Sequence, residues 1–277
     1  MPMSSKLLFP FYKDKLCFVF GGSEGIGASL CERLLLSGAT VVSLSRSGEK
    51  LETFREQIES DLGSFIEQRL KVHPVDVGDY LEVKDSIEEL VELYGVPDFA
   101  FQCAGFARPG FFNEQDIQVF HSMMDTNYFG TVHVAKALSP YWIKEKKGHL
   151  ITCSSIAGFI GLFGYTGYCA SKFAVIGFSE ALRREWEPLG IQVSVICPPN
   201  TKTPGLAEEN KFKPSEVLRT EEKVKSVEPQ FVADYVLKSL EKNPFLIIPT
   251  LDGKIANYLN RFAPSVLSRF VKRPISP

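Results

Sequence analysis

Tyr168 and Lys172, four residues apart in the stretch Tyr-Cys-Ala-Ser-Lys, fall on one face of a helix and set a phenol beside an ammonium. A tyrosine with its ordinary pKa of about 10 shuttles protons poorly at neutral pH. A neighbouring cation favours the phenolate, so Lys172 is expected to lower the Tyr168 pKa and fit the pair for general acid–base work. The same spacing also occurs on solvated helix faces, so its meaning depends on what the rest of the chain brings to it. Near the N-terminus the apolar run Leu16-Cys17-Phe18-Val19-Phe20 leads straight into Gly21-Gly22-Ser23-Glu24-Gly25-Ile26-Gly27 and then a helical pattern. Strand, glycine turn and helix in that order suit a pyrophosphate, which the backbone can approach closely and the free N–H groups of the helix start can stabilise. The spacing Gly-x-x-x-Gly-x-Gly differs from the commoner Gly-x-Gly-x-x-Gly fingerprint.

The elements that must hold these groups follow from hydropathy. Strand-like runs lie near 15–20, 40–45, 70–76, 98–103, 148–154, 191–197 and 244–248, and helical patterns near 25–37, 49–60, 79–94, 115–144, 167–187 and 229–241. This alternation predicts an α/β fold: a doubly wound, Rossmann-type parallel sheet with helices on both faces, in a single domain with a C-terminal helical extension. Gly38, Gly95, Gly148 and Gly190 stand where helices must end. With 277 residues, 44% hydrophobic content and a net charge of -2, the chain can bury one sizeable core and carries no basic field for nucleic acid. Cys17, Cys31, Cys103, Cys153, Cys169 and Cys197 lack C-x-x-C pairing and read as reduced core residues. His73, His121, His133 and His149 lack metal-ligand spacing, so no metal is expected. No apolar run reaches bilayer length, and Met1 to Asp14 has no signal-peptide pattern, so a cytoplasmic, non-secreted protein is expected.

Gly21/Gly25/Gly27, Cys103-Ala104-Gly105, Asn127, Ser154-Ser155 and Tyr168-x-x-x-Lys172 stand in the order and at the separations of the short-chain dehydrogenase/reductase family, which the chain resembles over roughly residues 15 to 240. The resemblance implies a nicotinamide dinucleotide and interconversion of a carbonyl and an alcohol. It assigns Gly21, Ser23, Gly25, Ile26, Gly27, Asp76, Ala104, Gly105, Pro198, Thr201 and Thr203 to the cofactor, with Asp76 at the adenine ring or, alternatively, only starting a helix. Ser155, thirteen residues before Tyr168, is preferred to Ser154 as the hydroxyl that binds the substrate carbonyl. Tyr168 would protonate the oxygen as hydride arrives, and Lys172 would hold the nicotinamide ribose. Asn127 would anchor a water linking Lys172 to solvent, or else serve as a kink or capping residue. Phe20 and Gln102-Cys103 depart from the family's usual threonine and asparagine pair. Cys197-Pro198-Pro199 through Ala207-Glu208-Glu209-Asn210, with Lys213-Pro214 beyond, is similar to the 3-ketodihydrosphingosine reductase branch, although Asn200 and Lys202 replace its aspartates.

The end of the second strand, Leu44-Ser45-Arg46-Ser47, offers no carboxylate to ribose hydroxyls. Arg46 suits a 2′-phosphate, which favours NADPH, unless it merely opens the next helix. Residues 1–242 are expected to form the catalytic domain, with a substrate lid over about 204–226 interrupted by Pro204, Gly205 and Pro214; residues 243–277 add a strand and an amphipathic basic extension. In that extension Ile255, Leu259, Phe262, Val266, Leu267, Phe270 and Val271 oppose Lys254, Arg261, Arg269, Lys272 and Arg273. The pattern over 254–273 fits peripheral contact with an anionic membrane, or packing on the protein or at a dimer interface. A homodimer or homotetramer is expected. Glu208 and Glu209 are candidate partners for a substrate amine, or solvated residues neutralised by Lys202 and Lys211. The leading expectation is an NADPH-dependent reductase of a long-chain lipid ketone, foremost 3-ketodihydrosphingosine to dihydrosphingosine in sphingolipid synthesis. Another 3-oxoacyl or steroid-like ketone is the enzymatic alternative, and an idle dinucleotide-binding sensor or scaffold the non-enzymatic one.

Overall fold

The computed structural model describes residues 8–63, 66, 68–221 and 224–271; the first seven residues and the basic residues Lys272 and Arg273 lie outside them. Seven strands, β1 (Leu16–Phe20), β2 (Thr40–Ser45), β3 (Leu70–Pro74), β4 (Phe99–Gln102), β5 (Gly148–Cys153), β6 (Ile191–Ile196) and β7 (Leu246–Ile247), form one sheet in the order β3-β2-β1-β4-β5-β6-β7. Every pairing is parallel. The strands are apolar throughout because both faces are covered. In β1, Cys17 and Val19 join the core under helices α1 (Gly25–Leu36) and α9 (Pro229–Leu240), whereas Phe18 and Phe20 join the opposite core with Val134, Leu138 and Trp142. Strand order reverses between β1 and β4, which opens a crevice at the carboxyl ends of these strands.

All seven expected strands and six expected helical regions are present, with two local differences. The expected helix over 115–144 is three pieces: α4 (Ile117–Met124), a π turn at Asp125–Phe129, and α5 (Gly130–Glu145). The extra residue of a π turn re-aims a side chain, and here it turns Asn127 into the interior. Gly148 is not the cap of α5; Lys146 takes the left-handed conformation at φ 54°, and Gly148 starts β5, where a Cβ would sit 2.4 Å from the Trp142 ring. β7 pairs in register with β6, Val195 opposite Leu246, so the strand grouped with the C-terminal extension completes the sheet. The extension itself folds as α10 (Leu251–Phe262) and α11 (Pro264–Val271), broken at Pro264 as expected.

Between these lie α2 (Gly48–Leu62), capped by the Ser47 hydroxyl, and α3 (Tyr80–Tyr94), capped by the Asp79 carboxylate. The long α6 (Thr166–Trp186) carries Tyr168 and Lys172, and short helices α7 (Pro204–Asn210) and α8 (Ser215–Glu221) follow β6.

His149 on β5 is buried, with Nε2 2.8 Å from the Ser194 hydroxyl and its ring 5.7 Å from that of Phe99. Burial, helped by Arg183, pushes its pKa down to about 3. Below the ordinary histidine value the unfolded chain therefore takes up a proton that the folded chain refuses, and stability falls as pH drops from about 6.5 towards 3, by up to about 1.4 kcal/mol per pH unit. His149→Gln should remove this slope: melting curves between pH 7 and 5 should fall more steeply for the wild type than for the variant, and parallel slopes would exclude His149 as the source.

Candidate active site

The carboxyl ends of β1, β4, β5 and β6 open into one cleft of about 540 Å³, lined from Gly21 and Arg46 at one end to Tyr165, Glu209 and Glu221 at the other. Its first wall is the glycine turn. Gly21 has φ +75° and lies so close to β4 that a Cβ would fall 2.6 Å from the Ala104 nitrogen; a Cβ on Gly27 would fall 2.1 Å from the Gly21 carbonyl oxygen. Only glycines permit this approach of strand, turn and helix. Glu24, at the N-cap of α1, makes no side-chain cap, so the helix's first amides are left for another acceptor. The observed cradle therefore fits a dinucleotide pyrophosphate, and Ser23, Gly25 and Ile26 line it.

At the end of β2, Arg46 is exposed and precedes α2, whose cap is Ser47, so Arg46 does not open the helix. It lies 3.5 Å from Asp76. Lys50, one helical turn beyond Arg46 and overlooked in the sequence reading, also lines the cleft and pairs with Glu24 at 2.7 Å. No carboxylate stands at the end of β2 itself, and of the residues that follow, Arg46 and Lys50 line the cleft whereas Glu49 does not, which suits a 2′-phosphate. Asp76 lines the same end and accepts from the Gly78 amide; the N-cap of α3 is Asp79, so Asp76 does not start that helix. Phe20 is fully buried in the core, and Gln102 performs a turn function, accepting from the Ala104 amide at 3.1 Å. Its Nε2 is buried without a partner.

In the middle of the cleft, Lys172 is buried and its ammonium donates to the Cys153 carbonyl at 2.8 Å. The same nitrogen lies 5.7 Å from the Tyr168 ring centroid and would be 3.2 Å from a Cβ on Gly105. Burial lowers the Lys172 pKa. Tyr168 departs from expectation: burial, then Cys153, Glu209 and Cys169, push its pKa up, and a hydrogen bond with Ser155 opposes them. Lys172 is turned to the Cys153 carbonyl rather than to the phenol oxygen, so desolvation dominates over cation stabilisation. A hydrogen bond from Cys103 lowers the Cys153 pKa, with Lys172 acting in the same sense.

The two adjacent serines separate clearly. Ser154 is buried and donates to the Lys172 carbonyl at 2.8 Å, bracing α6. Ser155 caps the turn at Ile156–Gly158, accepting from the Ala157 amide at 3.1 Å, and faces Tyr168. Asn127 accepts from the Phe106 amide and donates to the Phe106 carbonyl and to the Ser171 hydroxyl, at 2.9, 3.0 and 2.9 Å. Both amide hydrogens are thus committed to clamping the 104–106 loop onto α6, and Gly105 is held against Lys172.

The Pro198 carbonyl accepts from the Ile156 amide, the bridge between Thr201 and Val227 is closed by the Lys202 amide donating to the Val227 carbonyl and the Val227 amide donating to the Asn200 carbonyl, and Thr203 caps α7 while its methyl group packs against Gly25. The segment 204–226, expected to act as a lid, contains α7 and α8, and residues 222 and 223 lie outside the described part. It is seated on the cleft: Val217 is fully buried with Ala157, Tyr165 and Cys169. The two candidate glutamates diverge. Glu208 is exposed and paired with Lys211, which lowers its pKa. Glu209 turns inward onto the Tyr165 hydroxyl at 2.6 Å, and Glu221, with no local sequence signal, joins it at 2.7 Å. Lys202 points away, paired with Glu228.

A doubly wound sheet whose switch point joins a glycine cradle to a half-buried serine and tyrosine backed by a buried lysine defines a dinucleotide-dependent oxidoreductase. The chain belongs to the short chain dehydrogenase family, which it matches over residues 15–214. It is 34% identical over 262 residues to the 3-ketodihydrosphingosine reductase of Dictyostelium discoideum, covering 90% of this chain and 78% of that protein. To the 3-ketodihydrosphingosine reductase of Mus musculus it is 36% identical over 228 residues, 82% of this chain and 68% of that protein. A short chain dehydrogenase from Burkholderia cenocepacia, solved in complex with NADP, shares the fold at 22% identity with a TM-score of 0.77, over 95% of this chain and 99% of that one.

The split between the serines is measurable. Ser154→Ala should lower stability by about 1 kcal/mol with turnover reduced only modestly, since it removes one buried hydrogen bond to α6. Ser155→Ala should leave the melting temperature within a few degrees and cut turnover by more than an order of magnitude. The reverse ranking in paired melting and steady-state measurements would exchange the two roles.

Proposed function

We propose that this protein is an NADPH-dependent reductase of a long-chain lipid ketone, with 3-ketodihydrosphingosine reduced to dihydrosphingosine. The observation that carries the reading is the Ser155–Tyr168–Lys172 set, its lysine buried and its two hydroxyls half-buried, lying in one cleft between a glycine cradle and helices α7 and α8. The substrate class rests on the relatives, whose names state that ketone, together with the double proline and Ala-Glu-Glu-Asn sequence that lead into the lid.

The glycine turn, the free amides of α1 and the Arg46/Lys50 pair would hold NADPH, which when bound would supply hydride for the carbonyl carbon. Ser155 donates a hydrogen bond to the carbonyl oxygen and orients it. Tyr168 gives its phenolic proton to that oxygen as negative charge develops there. The phenol is protonated at neutral pH, as the proton donor of the reducing direction must be, and burial holds its pKa up. Lys172, its nitrogen 5.7 Å from the Tyr168 ring centroid, adds positive charge near the phenolate left behind and would hold ribose hydroxyls of the bound cofactor. Asn127 is a positioning residue: by clamping the 104–106 loop it keeps Gly105 beside the ammonium.

NADPH oxidation should proceed with 3-ketodihydrosphingosine and be much slower with 3-oxoacyl thioesters; the opposite order would reassign the substrate. Tyr168→Phe should lower turnover about 10²- to 10⁴-fold with NADPH affinity nearly intact. Near-normal turnover with chemistry rate-limiting would remove Tyr168 from the proton step.

A lipid substrate gives meaning to the surface of α10. Gly253, Ala256 and Leu267 pack on Ile248 and its neighbours, while Leu251, Ile255, Tyr258 and Phe262 form an exposed apolar stripe beside Lys254 and Arg261. The side chains of Arg269, Phe270 and Val271 lie outside the described ones. Among the described residues no helix is long and apolar enough to cross a membrane. We infer peripheral contact with an anionic bilayer. Co-sedimentation with phosphatidylserine-containing vesicles should be strong and should drop on Ile255→Glu/Phe262→Glu; equal sedimentation of both proteins would exclude this stripe.

A further inference from the structure

The lid encloses a polar cluster that the reduction chemistry does not use. Tyr165, three residues before Tyr168 and with its ring 6.1 Å away, directs its hydroxyl at Glu209 and Glu221 at 2.6 and 2.7 Å. Lys213 reaches the same two carboxylates at 3.1 and 2.7 Å, and its side chain is only 2% exposed. A phenol has one hydrogen to donate, yet two carboxylate oxygens crowd it; one of the two contacts sets lone pair against lone pair. Among the described residues the charges do not close either, because two carboxylates face a single ammonium. The cluster is short of one cation carrying several N–H donors, and it lines the cleft beside the proton donor.

We propose that Glu209 and Glu221, organised by Tyr165 and Lys213, form the recess that receives the ammonium of a 2-amino-3-ketone substrate. The inference rests on the lipid-ketone reading above and specifies how that ketone is chosen. In such a substrate the ammonium sits on the carbon next to the carbonyl, so a carbonyl oxygen held by Ser155 and Tyr168 brings the amine to the neighbouring wall, where Tyr165 stands. Three N–H donors suit the lone pairs that these carboxylate oxygens carry beyond their contacts with the phenol and Lys213. The sequence reading looked for adjacent glutamates; the recess instead pairs the inward one, Glu209, with Glu221 from the next helix, and Glu208 plays no part because it faces solvent. An acyl thioester with anionic carrier groups would be repelled by the same charge.

The test compares 3-ketodihydrosphingosine with the ketone of equal length that carries hydrogen in place of the amine, in wild type, Glu221→Gln, Glu209→Gln and Lys213→Met, each checked for NADPH binding and melting. The read-out is the ratio of kcat/KM for the amino ketone to that for the neutral ketone. Either glutamine variant should lower this ratio about 10-fold or more, through KM, the loss of one charge-assisted contact. Lys213→Met should raise it, because a competing cation is removed. If all three variants change both ketones by one common factor, the cluster is a latch that seats the lid and the proposal is overturned. A wild type that reduces both ketones equally also overturns it while leaving the reductase assignment standing. A wild type that reduces neither overturns the assignment and the recess together.

Discussion

A buried ammonium governs this active site. Lys172 sits under the cleft surface, and desolvation there disfavours its charge strongly enough to lower its pKa. The fold answers with an acceptor that cannot move away, the carbonyl of Cys153 at the end of a strand paired on both sides. Everything around the ammonium follows from keeping it there. Ser154 ties the Lys172 backbone to the strand end, Gly105 leaves room for the nitrogen, and the π turn brings Asn127 inward to pin the loop carrying Gly105. A regular helix through residues 125–129 would rotate Asn127 away, so the irregular turn is a condition of the site.

The substrate side is held differently, by a helical lid rather than by strands. Val217 seals it with apolar burial, and a Cβ on Gly164 would stand 2.4 Å from a Val217 methyl, so the lid closes directly onto backbone. Apolar contact of this kind is indifferent to which ketone lies beneath. Discrimination must come from polar groups, and the structure concentrates them at one point, where residues of α6, α7 and α8 meet around Tyr165.

Much of this was legible in the sequence because it depends on local rules. Strand hydropathy, the glycine turn, the four-residue spacing of Tyr168 and Lys172 and the double proline are each written in contiguous residues, and the structure assembles them at one switch point. What escaped depends on tertiary placement. No pattern around Glu221 shows that it will meet Glu209, and Lys50 declares itself only once the N-terminus of α2 is seen against the cleft. The Tyr168 pKa was misjudged for a related reason: proximity to lysine is visible in spacing, whereas the depth of burial and the direction of the ammonium are not. Glu208 and Glu209 look equivalent in sequence, yet successive residues of a helix point about 100° apart, so only one can enter the cleft.

The two ends of the cleft impose opposite electrostatic demands, and the chain meets both with pre-existing ion pairs. At the adenosine end Arg46 and Lys50 are already engaged by Asp76 and Glu24; at the lid Glu209 and Glu221 are already engaged by Lys213. Such pairs prevent like charges from repelling one another before a ligand arrives, and they surrender little when it does, since exposed pairs of this kind are worth about 0–1 kcal/mol each. The buried Lys213 is the exception. Its side chain has no solvent to turn to, so it must remain between the carboxylates and share them with whatever enters. A neutral ketone would leave that arrangement unchanged, whereas a cationic head would complete it, and the selectivity of the site follows from this difference.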